Sequence, residues 1–259
     1  MRPFASLRAG EIIINIKLTI EYDGKNYFGW QRQSGKQTIQ QVIEESLQLL
    51  FPGENIKLAG AGRTDTGVHA RGHAANFKVT KHSFEKLGKE TFLKSLNGIL
   101  PSDIAVKKAE RVKNDFHARY SAVGRTYRYY LCFRKHALNG EKLHFVKTKF
   151  DIDLAKEFCK LLPGAQSFKS LCKNKEDKHN FFCSVTKAGI KKLKDDIIEF
   201  EITANRFLHS MVRAIVGAMI KIASGKLTIS EFKQKFKKGE ILTIQYAPSN
   251  ALFLHKINY

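Results

Sequence analysis

A single carboxylate lies in the middle of a glycine-rich, basic stretch of the chain. Residues 59–73 read Ala-Gly-Ala-Gly-Arg-Thr-Asp-Thr-Gly-Val-His-Ala-Arg-Gly-His, and Asp65 is the only acidic residue between Glu54 and Glu85. Glycines allow a backbone to turn tightly or to lie against a ligand. A lone acid on such a loop could act as a nucleophile or as a general base. The alternative is local, because an aspartate often hydrogen-bonds its own turn.

Aromatic and basic side chains alternate in two other segments. Arg32 follows Trp30 by two residues, and residues 125–130 (Arg-Thr-Tyr-Arg-Tyr-Tyr) predict a strand with Tyr127 and Arg128 on opposite faces. Aromatic rings beside arginine can stack on exposed bases, and a tyrosine hydroxyl can also handle a proton. Burial in the core is the alternative for each ring, and we expect it for at least one of the tyrosines.

The charge of the chain predicts a polyanionic partner. Lys and Arg number 45 against 24 Asp and Glu, which gives a formal net charge of +21. Residues 116–140 and 202–230 contain no acid, like the surroundings of Asp65. We expect these three windows to converge on one phosphate-rich ligand. Their candidate RNA contacts are Arg71 and His73, then Arg125 and Arg128, then His209. His209 shares one face of a predicted helix over 207–223 with Arg213, a candidate substrate-binding residue that can point into a cleft.

The order of predicted elements indicates an α+β fold in two halves. We divide the chain into a leader (1–11), an N-terminal half carrying the Asp65 loop (12–114) and a C-terminal half (115–259). Predicted strands cover 12–22, 74–79, 104–112, 125–133, 183–187, 196–202 and 252–257. Predicted helices cover 39–51, 84–100, 154–162 and 207–223, the first opened by a capping box from Thr38 to Gln41. A seam between two such halves is a common place for a ligand.

Several classes of protein fit the sequence poorly. The most apolar helix is too short to span a bilayer, no basic amphipathic surface helix stands out, and the first ten residues lack an apolar signal core. We therefore expect a cytoplasmic protein that does not act at a membrane.

The four cysteines lack metal-ligand spacing and predict reduced structural thiols. A metal-dependent nuclease would need clustered carboxylates, so no metal site is expected. A non-catalytic RNA-binding protein, for which Asp65 only caps a turn, is the main alternative.

Taken together, these segments resemble the bacterial tRNA pseudouridine synthase A family. Its signature Gly-Arg-Thr-Asp-x-Gly-Val-His-Ala matches residues 62–70. The likeness begins at Leu-Thr-Ile-Glu-Tyr-Asp-Gly (18–24) and includes Phe-His-Ala-Arg-Tyr-Ser-Ala (116–122) and Phe-Leu-His-Ser-Met-Val-Arg (207–213). The leader and the lysine-rich residues 170–180 are not part of the resemblance.

The resemblance implies a fold, a reaction and roles for residues. The fold would be two ferredoxin-like or RRM-like halves with antiparallel sheets, helices on one face and a basic catalytic cleft between the halves. The reaction would be isomerisation of uridine to pseudouridine at positions 38 to 40 of the tRNA anticodon arm, without a cofactor, by a homodimer. Asp65 would be the catalytic aspartate, Tyr127 would contact the uracil, Arg63 would hold the flipped nucleotide, and Arg213 would pair with Asp65.

Overall fold

The computed structural model describes residues 11–173 and 180–259. The first ten residues of the predicted leader, and most of the lysine-rich segment at 170–180, lie outside the described residues. The chain forms two compact units: one extends to Val123 and includes Tyr259, and the other spans Gly124–Asn258. The sequence places the division at 114/115, whereas in the structure the backbone of Phe116 and Ala118 is hydrogen-bonded to the first unit.

The first unit is built on an antiparallel sheet in which β1 is the central strand. β1 (Ile13–Tyr22) pairs with β3 (His69–Thr80) on one side and with β4 (Ile104–Val112) on the other, and the short β2 (Ala59–Gly60) also pairs with β3. The helices of this unit are α1 (Ile39–Leu50), α2 (Lys81–Leu87) and α3 (Lys89–Ile99). Branched apolar residues at alternate positions of β1 are buried, which pins the register of the sheet.

The second unit contains a larger antiparallel sheet. Its strands are β5 (Gly124–Cys132), β6 (His144–Phe145), β7 (Gly164–Ser167), β8 (Phe182–Lys192), β9 (Ile197–Ala204) and β10 (Leu252–Asn258). They pair antiparallel in the order β10–β5–β9–β8–β7, and β6 runs parallel to the end of β5. The helices are α4 (Ile152–Cys159), α5 (Met211–Ala223) and α6 (Ile229–Lys238).

Aromatic rings fill the core beside the helices of each unit. In the first unit the ring centroids of Phe51 and Phe77 lie 6.2 Å apart, and that of Phe92 lies 5.8 Å from Phe51. In the second unit Phe232 of α6 meets Phe158 of α4 at 5.0 Å. Such pairs contribute about 0.5–1.5 kcal/mol beyond the burial of their area. They explain how α6 is held although most of its residues are lysine or polar.

The predicted α+β fold with antiparallel sheets is confirmed, but two helix boundaries were wrong. The helix predicted over 84–100 is two helices, because Gly88 has a φ of +75° and interrupts the hydrogen bonding between them. The helix predicted over 207–223 begins at Met211, because Ser210 before it is left-handed with a φ of +56°. α6 was not predicted from the sequence.

The predicted capping box at the start of α1 was also wrong. Thr38 does occupy the N-cap, but its side chain makes no capping bond and its buried hydroxyl has no hydrogen-bond partner. The Gln41 amide donates instead to Glu45, at 2.9 Å. A complete capping box stands at α6, where the side chains of Thr228 and Glu231 each accept from the other's backbone.

The four cysteines are free and buried, as predicted. Burial raises the pKa of Cys159 to about 12 and that of Cys183 to about 11, so both are thiols at neutral pH. In the described part of the chain, no helix has the length and hydropathy needed to cross a bilayer.

Candidate active site

Asp65 lies in a tight turn between β2 and β3, and the turn presents it at the surface. The backbone N–H of Val68 donates to the Asp65 carbonyl at 3.1 Å, and Gly67 has a φ of +77° that favours glycine. Asp65 itself is half-buried, whereas Arg63 and Thr66 on either side of it are exposed. The turn therefore holds a carboxylate in a defined place within reach of solvent and of a ligand.

The residues before Asp65 are anchored to the segment that follows β1. The Thr64 hydroxyl lies 2.9 Å from the Tyr22 hydroxyl, and the Thr64 carbonyl accepts from the Trp30 N–H at 3.2 Å. Gly29, with a φ of +84°, permits this approach, because a Cβ there would stand 2.5 Å from the Thr64 carbonyl oxygen. Gly24 plays the same part after Asp65, since a Cβ on it would collide with the Val68 carbonyl. The turn is thus clamped at both ends.

Beneath the turn, Trp30 stacks on His73 with ring centroids 3.7 Å apart and an interplanar angle of 19°. Gly60 makes room for the indole, because a Cβ there would overlap the ring. His73 Nε2 lies 3.2 Å from the Gly62 carbonyl, which can only accept, so this nitrogen carries the proton. Burial lowers the pKa of His73 to about 4, and the Gly62 bond opposes only part of that shift. The imidazole is therefore neutral and acts as support.

Trp30 and His73 were predicted as candidate RNA contacts, and the structure contradicts both. Trp30 is 2% exposed and His73 is 0% exposed, so neither ring can reach RNA from this conformation. The reason is tertiary: β3 carries His73 under the turn, and the small Gly60 leaves a space that Trp30 fills. Their contribution to a site is to hold the backbone around Asp65.

Basic side chains surround the turn in different states. Arg63 donates from Nε to the Gln31 side chain at 3.3 Å, and it is exposed. Arg32 is held by the carboxylates of α1, with 3.1 Å to Glu44 and 3.5 Å to Glu45, so part of its charge is already compensated. Arg71 lies at the exposed start of β3, and its carbonyl accepts from Lys107. Arg63 is therefore better placed than Arg32 to meet a phosphate.

His69, at the end of the signature, is a further support that the sequence reasoning did not single out. Its Nδ1 lies 2.9 Å from an Asp23 carboxylate oxygen and 3.1 Å from the Gly24 N–H. Tyr27, nearby, donates to Asp103 at 2.6 Å, and its pKa is raised by burial and by this bond. No periodicity could have indicated these contacts, because each joins residues far apart in sequence.

In the second unit, the residues of β5 divide between the core and the surface. Tyr127 is half-buried and meets Phe207 edge-on, with ring centroids 5.1 Å apart. Tyr129 is fully buried; its hydroxyl donates to the Pro248 carbonyl at 3.0 Å and lies 3.0 Å from His144 Nδ1. Burial raises the pKa of Tyr129, and the charge of Arg213 opposes that rise. The expectation that at least one tyrosine of this strand is a core residue is confirmed.

Arg128 is engaged by two carboxylates of the neighbouring strand β9. Its Nε donates to Glu201 at 2.7 Å, and its Nη1 lies 3.5 Å from Glu199. Burial lowers the pKa of Arg128, but these two partners outweigh that effect and leave it raised. Residues 116–140 are thus free of acids only along the sequence, because strand pairing brings the acids of β9 beside them.

Arg213 lies in the first turn of α5 and is tied to the segment before β10. Its Nε donates to the Ala247 carbonyl at 2.8 Å, and the Ala247 N–H donates to the Arg213 carbonyl at 3.1 Å. Gly217, one turn further, is required here because a Cβ would overlap the Gln245 carbonyl. The same segment is held by the Tyr129 bond to Pro248. These bonds restrict the orientation of the Arg213 guanidinium.

The predicted sharing of a helix face by His209 and Arg213 was wrong. His209 precedes the left-handed Ser210 and is exposed outside α5, where its carbonyl accepts from the Lys173 N–H. Arg125, at the start of β5, donates to the Asn205 carbonyl at 2.7 Å. The expected cleft between the halves, and the pairing of Arg213 with Asp65, stay predictions.

The site in the first unit defines a basic α+β protein that presents a carboxylate on a rigid, glycine-lined turn. Within residues 11–173 and 180–259, no group of three or more His, Cys, Asp or Glu side chains could hold a metal ion. The profile of the family described as tRNA pseudouridine synthase matches residues 18–121 and 158–259.

Curated relatives agree with this match. The tRNA pseudouridine synthase A of Thermodesulfovibrio yellowstonii is 40% identical over 260 residues, which cover 95% of this chain and 100% of that protein. That of Caldicellulosiruptor saccharolyticus is 39% identical, covering 88% and 94%. That of Azobacteroides pseudotrichonymphae is 38% identical, covering 93% and 94%. The chain belongs to the tRNA pseudouridine synthase family, whose members isomerise uridine to pseudouridine in tRNA, and the resemblance drawn from its sequence is confirmed.

Proposed function

We propose that this protein isomerises uridine at positions 38 to 40 of the tRNA anticodon arm, with Asp65 as its catalytic carboxylate and without a cofactor. The observation that carries the proposal is the clamped turn at residues 64–68. Contacts from Tyr22, Trp30, Gly24 and Gly29 hold it on both sides of Asp65. A group that reacts with a substrate must be held in a defined position. A surface aspartate without a function would not need contacts that fix its backbone on both sides.

The reaction needs a single, well-placed carboxylate. The glycosidic bond from C1′ to N1 breaks, a bond from C1′ to C5 forms, and the proton on C5 leaves to solvent while N1 gains one. No net oxidation or hydrolysis occurs. The uridine must first leave its stack, which costs a few kcal/mol and is easiest near a loop. The Asp65 carboxylate then acts on this nucleotide, as a nucleophile towards the sugar or base or as a base on a ribose proton.

The remaining residues bind the substrate in this proposal. Arg63, exposed two residues before Asp65, holds the flipped nucleotide, and Tyr127 contacts its uracil. Arg213 provides a positive charge, and its hydrogen bond to the Ala247 carbonyl sets the orientation of its guanidinium. Arg71 and Arg125 contribute phosphate contacts further out. The enzyme acts as a homodimer in the cytoplasm, and its positive charge attracts tRNA.

The test is release of tritium from C5-labelled uridine in a tRNA anticodon stem-loop, with a chelator present. The wild type should release tritium, and Asp65→Asn should release none while binding the RNA with nearly unchanged affinity. Asp153→Asn, an exposed aspartate of α4, is the matched control and should behave as wild type. Replacing the uridines at positions 38 to 40 by cytidine should abolish release.

Two results would overturn the proposal. Tritium release by Asp65→Asn at the wild-type rate would remove Asp65 from the chemistry. Tight RNA binding without any release by the wild type would favour a non-catalytic RNA-binding protein.

A further inference from the structure

Tyr120 is the most exposed aromatic residue in the part of the chain that the structure describes. Its exposed fraction is 76%, although tyrosine usually buries much of its ring. It lies in the loop between β4 and β5, away from the Asp65 turn in sequence. Single exposed apolar side chains are common on protein surfaces, so the exposure of Tyr120 alone does not indicate a binding site.

A second ring and a cation lie beside Tyr120. The ring of His117 lies 4.4 Å from the Tyr120 ring, centroid to centroid, and the guanidinium carbon of Arg119 lies 5.7 Å from the Tyr120 centroid. The Arg119 N–H donates to His117 Nδ1 at 3.1 Å, so Nδ1 is an acceptor there. Two rings and a cation are therefore gathered on one short turn. Nucleic-acid-binding surfaces use this combination to stack bases.

The turn that carries the two rings is closed on itself. The Ser121 N–H donates to the His117 carbonyl at 2.9 Å, and the His117 N–H donates to the Ser121 hydroxyl at 3.1 Å. These two bonds join the ends of the turn and restrict its backbone. Tyr120 is held in this closed turn and is not part of a freely moving loop.

Buried amides attach the turn to the sheet of the first unit. The Asn76 side chain accepts from the Ala118 N–H at 2.8 Å and donates to the side-chain Oδ1 of Asn15 at 2.9 Å. Asn15 in turn donates to the Phe116 carbonyl at 2.8 Å, and the Tyr259 hydroxyl donates to the Ala118 carbonyl at 2.9 Å. Both asparagines are buried, which makes these bonds costly to break. The aromatic turn is therefore a preorganised surface.

We propose that Tyr120, supported by His117 and Arg119, is a stacking platform for an unpaired base of bound tRNA. The charge nearby agrees with an anionic ligand. Residues 110–121 carry Arg111, Lys113 and Arg119 against two acids, Glu110 and Asp115, and Lys17 pairs with Glu110 at 3.1 Å. A contact between two copies at this surface would bring its own arginines and lysine together, which fits the surface less well than an anionic ligand. The ligand class rests on the proposed function, in that tRNA is taken as the substrate.

The test measures RNA binding without turnover, by fluorescence anisotropy. The probes are a tRNA transcript, a short oligouridylate and a blunt RNA duplex. Tyr120→Ala should bind the transcript and the oligouridylate about tenfold more weakly than the wild type, because it loses a stacked base. Tyr120→Phe keeps the ring and should stay within about twofold of the wild type. Val123→Ala removes a neighbouring exposed apolar side chain and is the control, with no change expected.

The outcomes separate this proposal from its rivals. Equal affinity of Tyr120→Ala and wild type for both single-stranded probes would overturn it. So would an equal loss for the duplex, which would indicate a phosphate contact only. A change of sedimentation mass in Tyr120→Ala without a change in RNA affinity would identify the surface as an interface between copies. Failure of the proposed isomerase reaction would appear separately, as absence of tritium release by the wild type.

Discussion

Replacing Gly29 by alanine should displace the Asp65 turn without touching any reacting group. A Cβ on Gly29 would stand 2.5 Å from the Thr64 carbonyl oxygen and 3.2 Å from the Asp65 carbonyl carbon. An ordinary contact begins at 3.4 Å, so the backbone before Asp65 must move by roughly 1 Å. A misplacement of about 1 Å in an active site can cost on the order of 100-fold in rate. We therefore expect a similar loss of turnover at saturating tRNA.

The free energy of unfolding should fall as well, and Gly35→Ala separates the two causes. Gly29 has a φ of +84° and Gly35 a φ of +68°, but nothing lies within 4 Å of a Cβ on Gly35. Both variants place alanine in a left-handed conformation, which should lower the free energy of unfolding by about 1–2 kcal/mol. Only Gly29→Ala also overpacks its surroundings, which should lower the free energy of unfolding by about another 1–3 kcal/mol. The expected losses are therefore about 2–5 kcal/mol for Gly29→Ala and about 1–2 kcal/mol for Gly35→Ala.

Two measurements check this reasoning: urea unfolding and tritium release from labelled tRNA. Gly35→Ala should keep turnover within about twofold of the wild type, because its loop contacts nothing that its Cβ would displace. If Gly29→Ala kept wild-type turnover with a stability loss no larger than that of Gly35→Ala, the clamp would have no bearing on catalysis.

Three further predictions concern stability and are measured by urea unfolding. Burial lowers the pKa of His73 from 6.5 to about 4. As the pH falls from 6.5 towards 4, His73 takes up a proton in the unfolded chain but not in the folded protein, so the free energy of unfolding falls. The fall between pH 7 and pH 5 should be about 2 kcal/mol, and His73→Gln should remove it. Thr228→Ala should cost about 1 kcal/mol because it breaks a capping box, whereas Thr38→Val should cost less than about 0.5 kcal/mol because the Thr38 hydroxyl has no partner; equal costs would contradict the capping assignment. Arg128→Ala should cost about 1–3 kcal/mol by leaving the Glu199 and Glu201 carboxylates with one partner fewer, and tRNA affinity should stay within about twofold; the reverse pattern would make Arg128 an RNA contact.

The sequence predicted seven of the ten strands that the described residues form; the short β2, β6 and β7 were missed, and β3 and β8 extend several residues beyond their predicted bounds. β4 was predicted with its observed bounds, and β1 within one residue, since branched residues alternate along β1 and open and close β4. Helix ends were harder. Gly88 and Ser210 interrupt apolar patterns that read as continuous, and the left-handed conformation of Ser210 has no signature in its residue type. α6 was missed because only two phenylalanines mark its buried side, although the sequence Thr-x-x-Glu at its start is typical of a capping box.

The candidate site was predictable in its centre and less so in its surroundings. Glycines and an isolated acid indicated the Asp65 turn, but they left open whether Asp65 hydrogen-bonds its own turn or takes part in chemistry, and the catalytic role was implied only by the resemblance. The stacking of Trp30 on His73 could not be predicted from the sequence, since that contact depends on the strand pairing that brings β3 under the turn. Strand pairing likewise gives Arg128 acidic partners from β9. Acid-free windows along a chain are therefore a weak guide to charge in space.

The ion pairs of β5, β8 and β9 have a consequence for how RNA approaches the second unit. Besides Arg128, Lys187 contacts Glu201 at 2.7 Å and Lys191 contacts Glu199 at 3.1 Å. Partly exposed pairs of this kind add little to stability. They do cancel the electric field of several cations over this sheet, and a diffusing polyanion responds to that field before any contact forms. Encounter should then be steered towards basic groups that lack such neighbours. Replacing Lys187 and Glu201 together by neutral residues should therefore slow association less than replacing Lys187 alone, which leaves the Glu201 charge less compensated.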